Sequence, residues 1–425
     1  MAPRDAEAQA ASGTAKGDVS EEFSSNAVRL SLGEWAIALA LLVAVVLSLP
    51  WIVQRRQTFK PSADYRHPYQ CGEDYWLYAR YSRYAHSHYP IAVIGDSVVW
   101  GHYVEPEGTL THFLNQEAGQ EDGLKPVLQQ LVPRFANLGL DGTRPMALAG
   151  LIEYYCRDLA GQGVILHLNP LWMSSDGADL HQRDAGRVPR GHEGREERAG
   201  EKGGARINHA RLVPQIAHRP YGYQPSFDAV VGIAAERYLP YAAWVRHLRM
   251  VYFDNLGIES WSLENPYRNP LSAVTLKLPQ PEDRPEGDPV PWTRSGVERQ
   301  DFPWVPLDQS YQWERFRRAV DLLQARGNHV FVLIGPMNTH LMTEASRRRY
   351  DELRGEMEAW LEARAIPYSA PPALPSDLYA DSSHPLEAGY ARLAKELCQD
   401  ARFREWLAGI GGHAADRWPM AAGSR

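Results

Sequence analysis

From residue 91 onward the chain alternates short apolar runs with stretches of helical period, the pattern of a parallel sheet joined by helical crossovers. The runs predict five strands: IAVIG, RFANLG, GVILHLN, HVFVLIGP and IPYSA. Between the first three lie TLTHFLNQEA, with apolar residues at helical spacing, and the amphipathic MALAGLIEYYCRDLA. Further on come YQWERFRRAVDLLQARG, with Gly327 as its stop signal, and SRRRYDELRGEMEAWLEARA. The segment PLEAGYARLAKELCQDARFREWL closes the domain in helix. The fold class is therefore α/β with a central, mostly parallel sheet.

Two stretches break this alternation. The first is WAIALALLVAVVLSLPWIV, Trp35 to Val53, with no charge over 19 residues. As a helix it spans about 28 Å, close to the hydrocarbon thickness of a bilayer. Trp35 and Trp51 stand at its ends, where aromatic anchors belong. We read a transmembrane helix over 34–54, a disordered tail over 1–33 and a single-pass membrane protein that meets lipid through 35–53. A signal peptide would have a shorter apolar core closed by a clear cleavage site. Arg55, Arg56 and Lys60 follow the span, so the positive-inside rule points the C-terminal part toward the cytoplasm.

The second is an insertion at about 173–310, between the third and fourth strands. Its first part, SDGADLHQRDAGRVPRGHEGREERAGEKGGAR, is charged and Gly-rich and reads as a mobile loop. VVGIAAERYLPYAAWVRHLRMVYFD is helical and apolar enough to pack, and LPQPEDRPEGDPVPWTRSG is irregular. Residues 54–90, which include DYWLYARYSRYAHSHYP, read as a polar approach whose aromatics pack on the domain edge. The α/β domain covers 55–410, and 411–425 reads as a disordered tail.

Composition narrows the functional classes. A 44% hydrophobic, 23% charged chain of 425 residues can build a sizeable core. A net charge of −7 with 15 scattered His leaves no basic footprint, so nucleic acid is not an expected partner. Three Cys, without a CxxC or another metal-type spacing, exclude a disulfide framework and allow one bridge. No metal site is read.

Ligands of such sheets bind at the carboxyl ends of the strands, and four of these ends carry polar features. At the first, Gly95-Asp96-Ser97 can expose a serine hydroxyl above a backbone N–H, with Asp96 bonding the turn. At the second, NLGLDGTRP places Gly139 and Gly142 where a missing Cβ lets an N–H approach a substrate; alone it reads as an ordinary turn. At the third, Asn169 ends ILHLN before Pro170, as an oxyanion donor or as a turn-former. At the fourth, ADSSHP sets Asp381 and His384 three apart, so the carboxylate can reach its own histidine's Nδ1 and leave Nε2 outward. By itself that pair reads equally as a helix cap with a surface His. IGPMNTH adds Asn338 as a pocket candidate, while His340 lacks an adjacent carboxylate. Trp244, Trp261, Trp292, Trp304 and Trp313 serve packing or a sugar-stacking wall.

In this order, Ser, Gly, Asn and Asp-x-x-His, the chain resembles the GDSL-like or SGNH serine hydrolases over residues 91–172 and 311–407. GDSVVWGHYVEPEGTL is similar to the family's first block, NLGLDGT to its second and DSSHP to its last. HLNPLW departs from the usual Gly-x-Asn-Asp of the third block, with His167 for the Gly and Pro170 for the final Asp.

The resemblance implies a flavodoxin-like three-layer sandwich and a Ser97–His384–Asp381 triad. It implies an oxyanion hole of Ser97, Gly142 and Asn169, with Gly139 as the alternative glycine, and Asp96, Gly139 and Asn338 near the pocket. No metal or cofactor is required. It implies an esterase or O-acyltransferase for an acyl ester, in the first instance acetyl, of a carbohydrate such as an envelope polysaccharide. Such a protein works outside the cytoplasm, against the flanking charges, beside a multi-spanning membrane acyltransferase. The alternative is a non-catalytic scaffold of the same fold, suggested by the third block and the insertion. A plain lipase fits less well, since the insertion begins strongly polar and offers no apolar lid.

Overall fold

The computed structural model describes residues 30–120, 135–181, 207–281 and 289–417. Most of the N-terminal tail, the bulk of the charged loop of the insertion, part of the Pro-rich stretch and residues 418–425 lie outside the described residues.

The N-terminal helix, α1, runs Leu32–Arg56, two residues longer at each end than 34–54. Its most apolar window has a mean hydropathy of 2.7, and it is long and apolar enough to cross a membrane. Leu41 and Leu47 are 63% and 66% exposed, a surface that water does not favour.

The remainder is an α/β unit. Its elements follow in chain order as α2 (Tyr75–His88), β1 (Ile91–Gly95), α3 (Ser97–Trp100), α4 (Leu110–Gly119), β2 (Phe135–Gly139), α5 (Pro145–Tyr154) and β3 (Gly163–Leu168). The insertion contributes α6 (Phe227–Tyr238) and α7 (Pro240–Tyr252). Then come α8 (Tyr311–Ala325), β4 (His329–Ile334), α9 (Glu344–Ala363), β5 (Tyr368–Ser369), α10 (Glu387–Gln399) and α11 (Ala401–Arg417). The five strands pair in parallel in the order β2-β1-β3-β4-β5.

Both sheet faces are covered, which is why the strands read as unbroken apolar runs. Alternate residues serve opposite cores. Ala92, Ile94, Val164, Leu166 and Val332 pack with α2, α5, α8 and α9 on one face. Ile91, Val93, Ile165, Phe331 and Leu333 pack with α4, α10 and α11 on the other.

Three expectations change. The Tyr-rich approach is not an edge: Tyr65, Tyr78 and Tyr81 are fully buried in the first core. Each aromatic body fills space while its hydroxyl finds a carbonyl: Tyr78 donates to Leu138 O at 2.7 Å and Tyr81 to Tyr65 O at 2.8 Å. Helix α5 is not amphipathic, since every residue from Pro145 to Ile152 is buried. A Cβ on its Gly150 would lie 1.7 Å from the Leu212 carbonyl oxygen, so the insertion covers the face expected to meet water. The last helix continues to Arg417, past the 410 boundary, rather than ending in a tail from 411.

Trp244, Trp261, Trp304 and Trp313 are buried, which commits them to packing. The three cysteines are buried and unbridged.

Candidate active site

The strand order reverses between β1 and β3, and the carboxyl ends there form the crevice where such sheets hold ligands. Ser97 begins α3 directly after β1. A Cβ on Gly95 would lie 2.4 Å from Val99 Cγ2 and 2.7 Å from His167 Cβ, so only glycine lets α3 fold back this tightly. Asp96 caps α3, accepting from Val98 N at 3.0 Å. Tyr390 on α10 donates to Val98 O at 2.7 Å, tying the helix that starts with Ser97 to the element that follows His384.

Across 287 residues of chain, His384 Nε2 stands 2.8 Å from Ser97 Oγ. Its Nδ1 lies 2.8 and 2.9 Å from the two Asp381 carboxylate oxygens. Asp381 Oδ1 also accepts from the amides of Ser383 and His384, both at 2.9 Å. Burial works to raise the Asp381 carboxyl, but the His384 charge and these hydrogen bonds prevail and hold it at about 2. Asp381 is thus ionised and can only accept, so Nδ1 of a neutral His384 carries the proton and Nε2 is left to accept from Ser97 Oγ. Burial works to lower the His384 pKa, yet the Asp381 charge and hydrogen bond, helped by Asp96 and Asp141, raise it above 6.5.

The structure brings together Ser97, His384 and Asp381, and places the other candidates differently. Asn169 is 3% exposed; its Oδ1 accepts from Leu171 N at 3.1 Å and its Nδ2 donates to Asp96 Oδ2 at 2.8 Å. Its second N–H meets only a long 3.4 Å contact with Ser383 Oγ, so one donor is committed to Asp96 and the other is weakly held. Asp96 does not line an open pocket. It is a buried hub, with Trp172 Nε1 donating to it at 2.8 Å and His167 Nδ1 3.1 Å away. Burial works to raise the Asp96 pKa, but His167, Asn169 and Trp172 together pull it below its ordinary value. His167 is therefore a partner of Asp96, and its Nε2 donates to Gly335 O at 2.8 Å.

Gly142 sits in the turn after β2 with φ +70°. Gly139 is no pocket residue: its N–H donates to Asn137 Oδ1 at 2.9 Å, and Trp100 packs against its Cα. Asn338 is also withdrawn, fully buried, with Nδ2 donating to the Asp381 carbonyl at 2.9 Å. It latches the loop that carries Asp381 and His384. His340 faces Leu374 O at 3.0 Å, apart from Ser97.

Sequence reasoning missed three residues around this centre. Arg66 is fully buried, donates to the carbonyls of Trp100 at 3.1 Å and Gly101 at 2.6 Å, and so caps the carboxyl end of α3. His102 packs 5.5 Å from the His384 ring and reaches Asp141 Oδ1 at 2.8 Å through Nδ1. His209, from the insertion, touches the Asp141 carbonyl at 2.7 Å. None carries a local motif, since each acts on a distant backbone atom or side chain.

A cavity of about 470 Å³ opens beside Gly142, between Tyr69, Trp100, Asn208 and Arg246. A larger one, about 800 Å³, follows the β5 edge along Tyr368 and Asp400 and includes none of Ser97, Asp381 and His384. Volume alone does not locate the chemistry. Among the described residues no cluster of His, Cys, Asp and Glu could hold a metal ion. Neither the family models nor the curated proteins compared with this chain give a match.

Proposed function

We propose that this chain is a serine esterase or O-acyltransferase of the SGNH type, held on a membrane by α1. The single observation that carries the reading is the hydrogen-bonded Ser97–His384–Asp381 series at the switch point of a 2-1-3-4-5 parallel sheet. That strand order fits a flavodoxin-like three-layer sandwich, and the order of the polar blocks fits the family resemblance.

In this reading His384 Nε2 takes the Ser97 proton as Oγ attacks an ester carbonyl. Asp381 orients the imidazole and stabilises the imidazolium. The N–H groups of Ser97 and Gly142 hold the oxyanion, with the second Asn169 N–H as third donor. One such donor is worth about 3–4 kcal/mol of transition-state stabilisation. His384 then returns the proton to the leaving alcohol. Water or a second hydroxyl, deprotonated by His384, releases the acyl group from Ser97. The reading extends to an acetyl ester of an envelope polysaccharide, a multi-spanning acyl-transfer partner and an extracytoplasmic domain. Arg55 and Arg56 oppose that orientation, but a long translocated domain overrides a few flanking charges.

The test is labelling of the full chain in detergent with a fluorophosphonate, beside turnover of p-nitrophenyl acetate. We expect labelling at Ser97, abolished in Ser97→Ala and His384→Ala. Turnover that survives Ser97→Ala, with no label at Ser97, would favour the scaffold.

A further inference from the structure

The insertion does more than cover α5. Residues 207–215 form a tightly seated segment. Gln215 Nε2 donates to the carbonyls of Ala210 at 2.9 Å and Val213 at 3.0 Å, and Arg237 Nη2 donates to Val213 O at 2.7 Å. The Gly150–Leu212 approach fixes this segment against the domain. Within it His209 is 9% exposed and takes φ +56°, a left-handed backbone that turns its ring inward.

The hydrogen bonds of His209 define its proton. Its Nε2 lies 2.7 Å from the Asp141 carbonyl oxygen, which can only accept, so Nε2 carries the hydrogen. Burial lowers its pKa against the pull of the Asp141 carbonyl, Glu73 and Asp141, so the ring is neutral. Nδ1 then accepts, and the Tyr75 hydroxyl, 3.0 Å away on α2, donates to it. Tyr75 is itself locked by stacking on Tyr155, with ring centroids 5.0 Å apart.

The bonded carbonyl belongs to the peptide unit whose other end is the Gly142 N–H. In a trans peptide the C=O and N–H point in opposite directions, so holding one aims the other. A donor on the carbonyl also polarises the unit and makes its N–H a stronger donor. The Asp141 side chain, bonded to His102, holds the same turn from the α3 side. Gly142 has no Cβ to brace it, so these two histidines supply the bracing.

We infer that His209 is a positioning residue for the oxyanion hole: the Tyr75–His209–Asp141 chain sets the direction and strength of the Gly142 N–H. The insertion thereby completes the site. This inference rests on the esterase reading, since it assigns the Gly142 N–H to an oxyanion.

The experiment compares His209→Gln, His209→Asn and Tyr75→Phe in the full chain in detergent. The amide of Gln can bring its Nε2–H to the place of the histidine Nε2–H, while that of Asn is too short to reach. Asn also tolerates φ +56° best, so His209→Asn folds with the least backbone strain. We expect His209→Asn to slow both kcat and fluorophosphonate labelling of Ser97 by roughly tenfold or more at unchanged KM. His209→Gln should restore most of the rate, and Tyr75→Phe should fall between the two. A purely structural role would instead lower the melting temperature of the variants without separating Gln from Asn in kcat. Labelling of His209→Asn at the wild-type rate overturns the inference and leaves the esterase reading standing. Absence of Ser97 labelling in the wild type overturns the reading and the inference with it.

Discussion

Gly139 of β2 runs so close to Trp100 of α3 that a Cβ on Gly139 would lie 2.4 Å from the Trp100 amide nitrogen. The two glycines of the NLGLDG turn therefore have different jobs. Gly139→Ala forces backbone against backbone and displaces the helix that starts with Ser97. Overpacking of this kind costs about 1–3 kcal/mol. Gly142→Ala meets only the tips of Asn208 and His209, at 3.5 and 3.6 Å, and its cost is the φ +70° strain. That strain is about 1–2 kcal/mol. Both variants should melt lower than wild type. Labelling should slow most in Gly139→Ala, and if that variant labels at the wild-type rate Ser97 is not braced by this approach.

On the esterase reading the pH profile depends on His384. Only its neutral form can take a proton from Ser97, and its pKa is raised by Asp381, Asp96 and Asp141. Rates should therefore rise with pH through a limb lying above the ordinary histidine value of about 6.5. Asp381→Asn removes the main raising charge, so the limb should move to lower pH. The plateau should fall as well, by roughly 10⁴ where a Ser–His–Asp triad operates. The measurement is kcat/KM for p-nitrophenyl acetate against pH. An acid limb that stays in place in Asp381→Asn would show that another group sets it.

Asp96 should matter to stability more than a cap alone would. Asp96→Ala leaves His167, Asn169 and Trp172 facing a buried vacancy, and breaking a buried pair from one side costs about 3–5 kcal/mol. The sign with pH follows from the lowered pKa of the folded state. The contribution is fully present above the unfolded carboxyl value of about 3.9 and is lost as pH falls through the folded value. Melting temperatures of wild type should therefore drop more steeply below about pH 4 than those of Asp96→Asn. Parallel slopes for the two proteins would mean that Asp96 is not held ionised by its neighbours.

The strands were legible because a sheet covered on both faces writes itself as apolar runs. Ser97, Asp381 and His384 were legible because Asp381 and His384 are local to each other and Ser97 follows the end of a strand. What stayed hidden is non-local. Tyr residues count as polar by pattern, so the burial of α2 could not be read until its hydroxyls met carbonyls. Gly139 and Asn338 are held by neighbours that no local pattern shows: the Trp100 backbone crowds Gly139, and Asn338 donates to the Asp381 carbonyl. His167 looked like a defect in the third block, and only packing reveals it as a partner of Asp96. His209 lies in an insertion that no pattern of the surrounding domain anticipates.

The span makes the last prediction. Helix α1 is long and apolar enough to cross a bilayer, and its midpoint falls near Val43 to Val45. An Arg at the centre of such a helix costs about 2.5–3.5 kcal/mol on the insertion scale. Leu42→Arg with Val46→Arg together should oppose insertion by about 5–7 kcal/mol, enough to release the chain from carbonate-washed membranes. Leu42→Phe should remain bound, because it keeps the apolar surface. Release of the wild type by carbonate would end the reading of α1 as an anchor. For a retained wild type, protease added to intact cells or spheroplasts then decides the side. Digestion of the α/β unit fits a domain outside the cytoplasm, and full protection assigns it to the side that Arg55 and Arg56 favour.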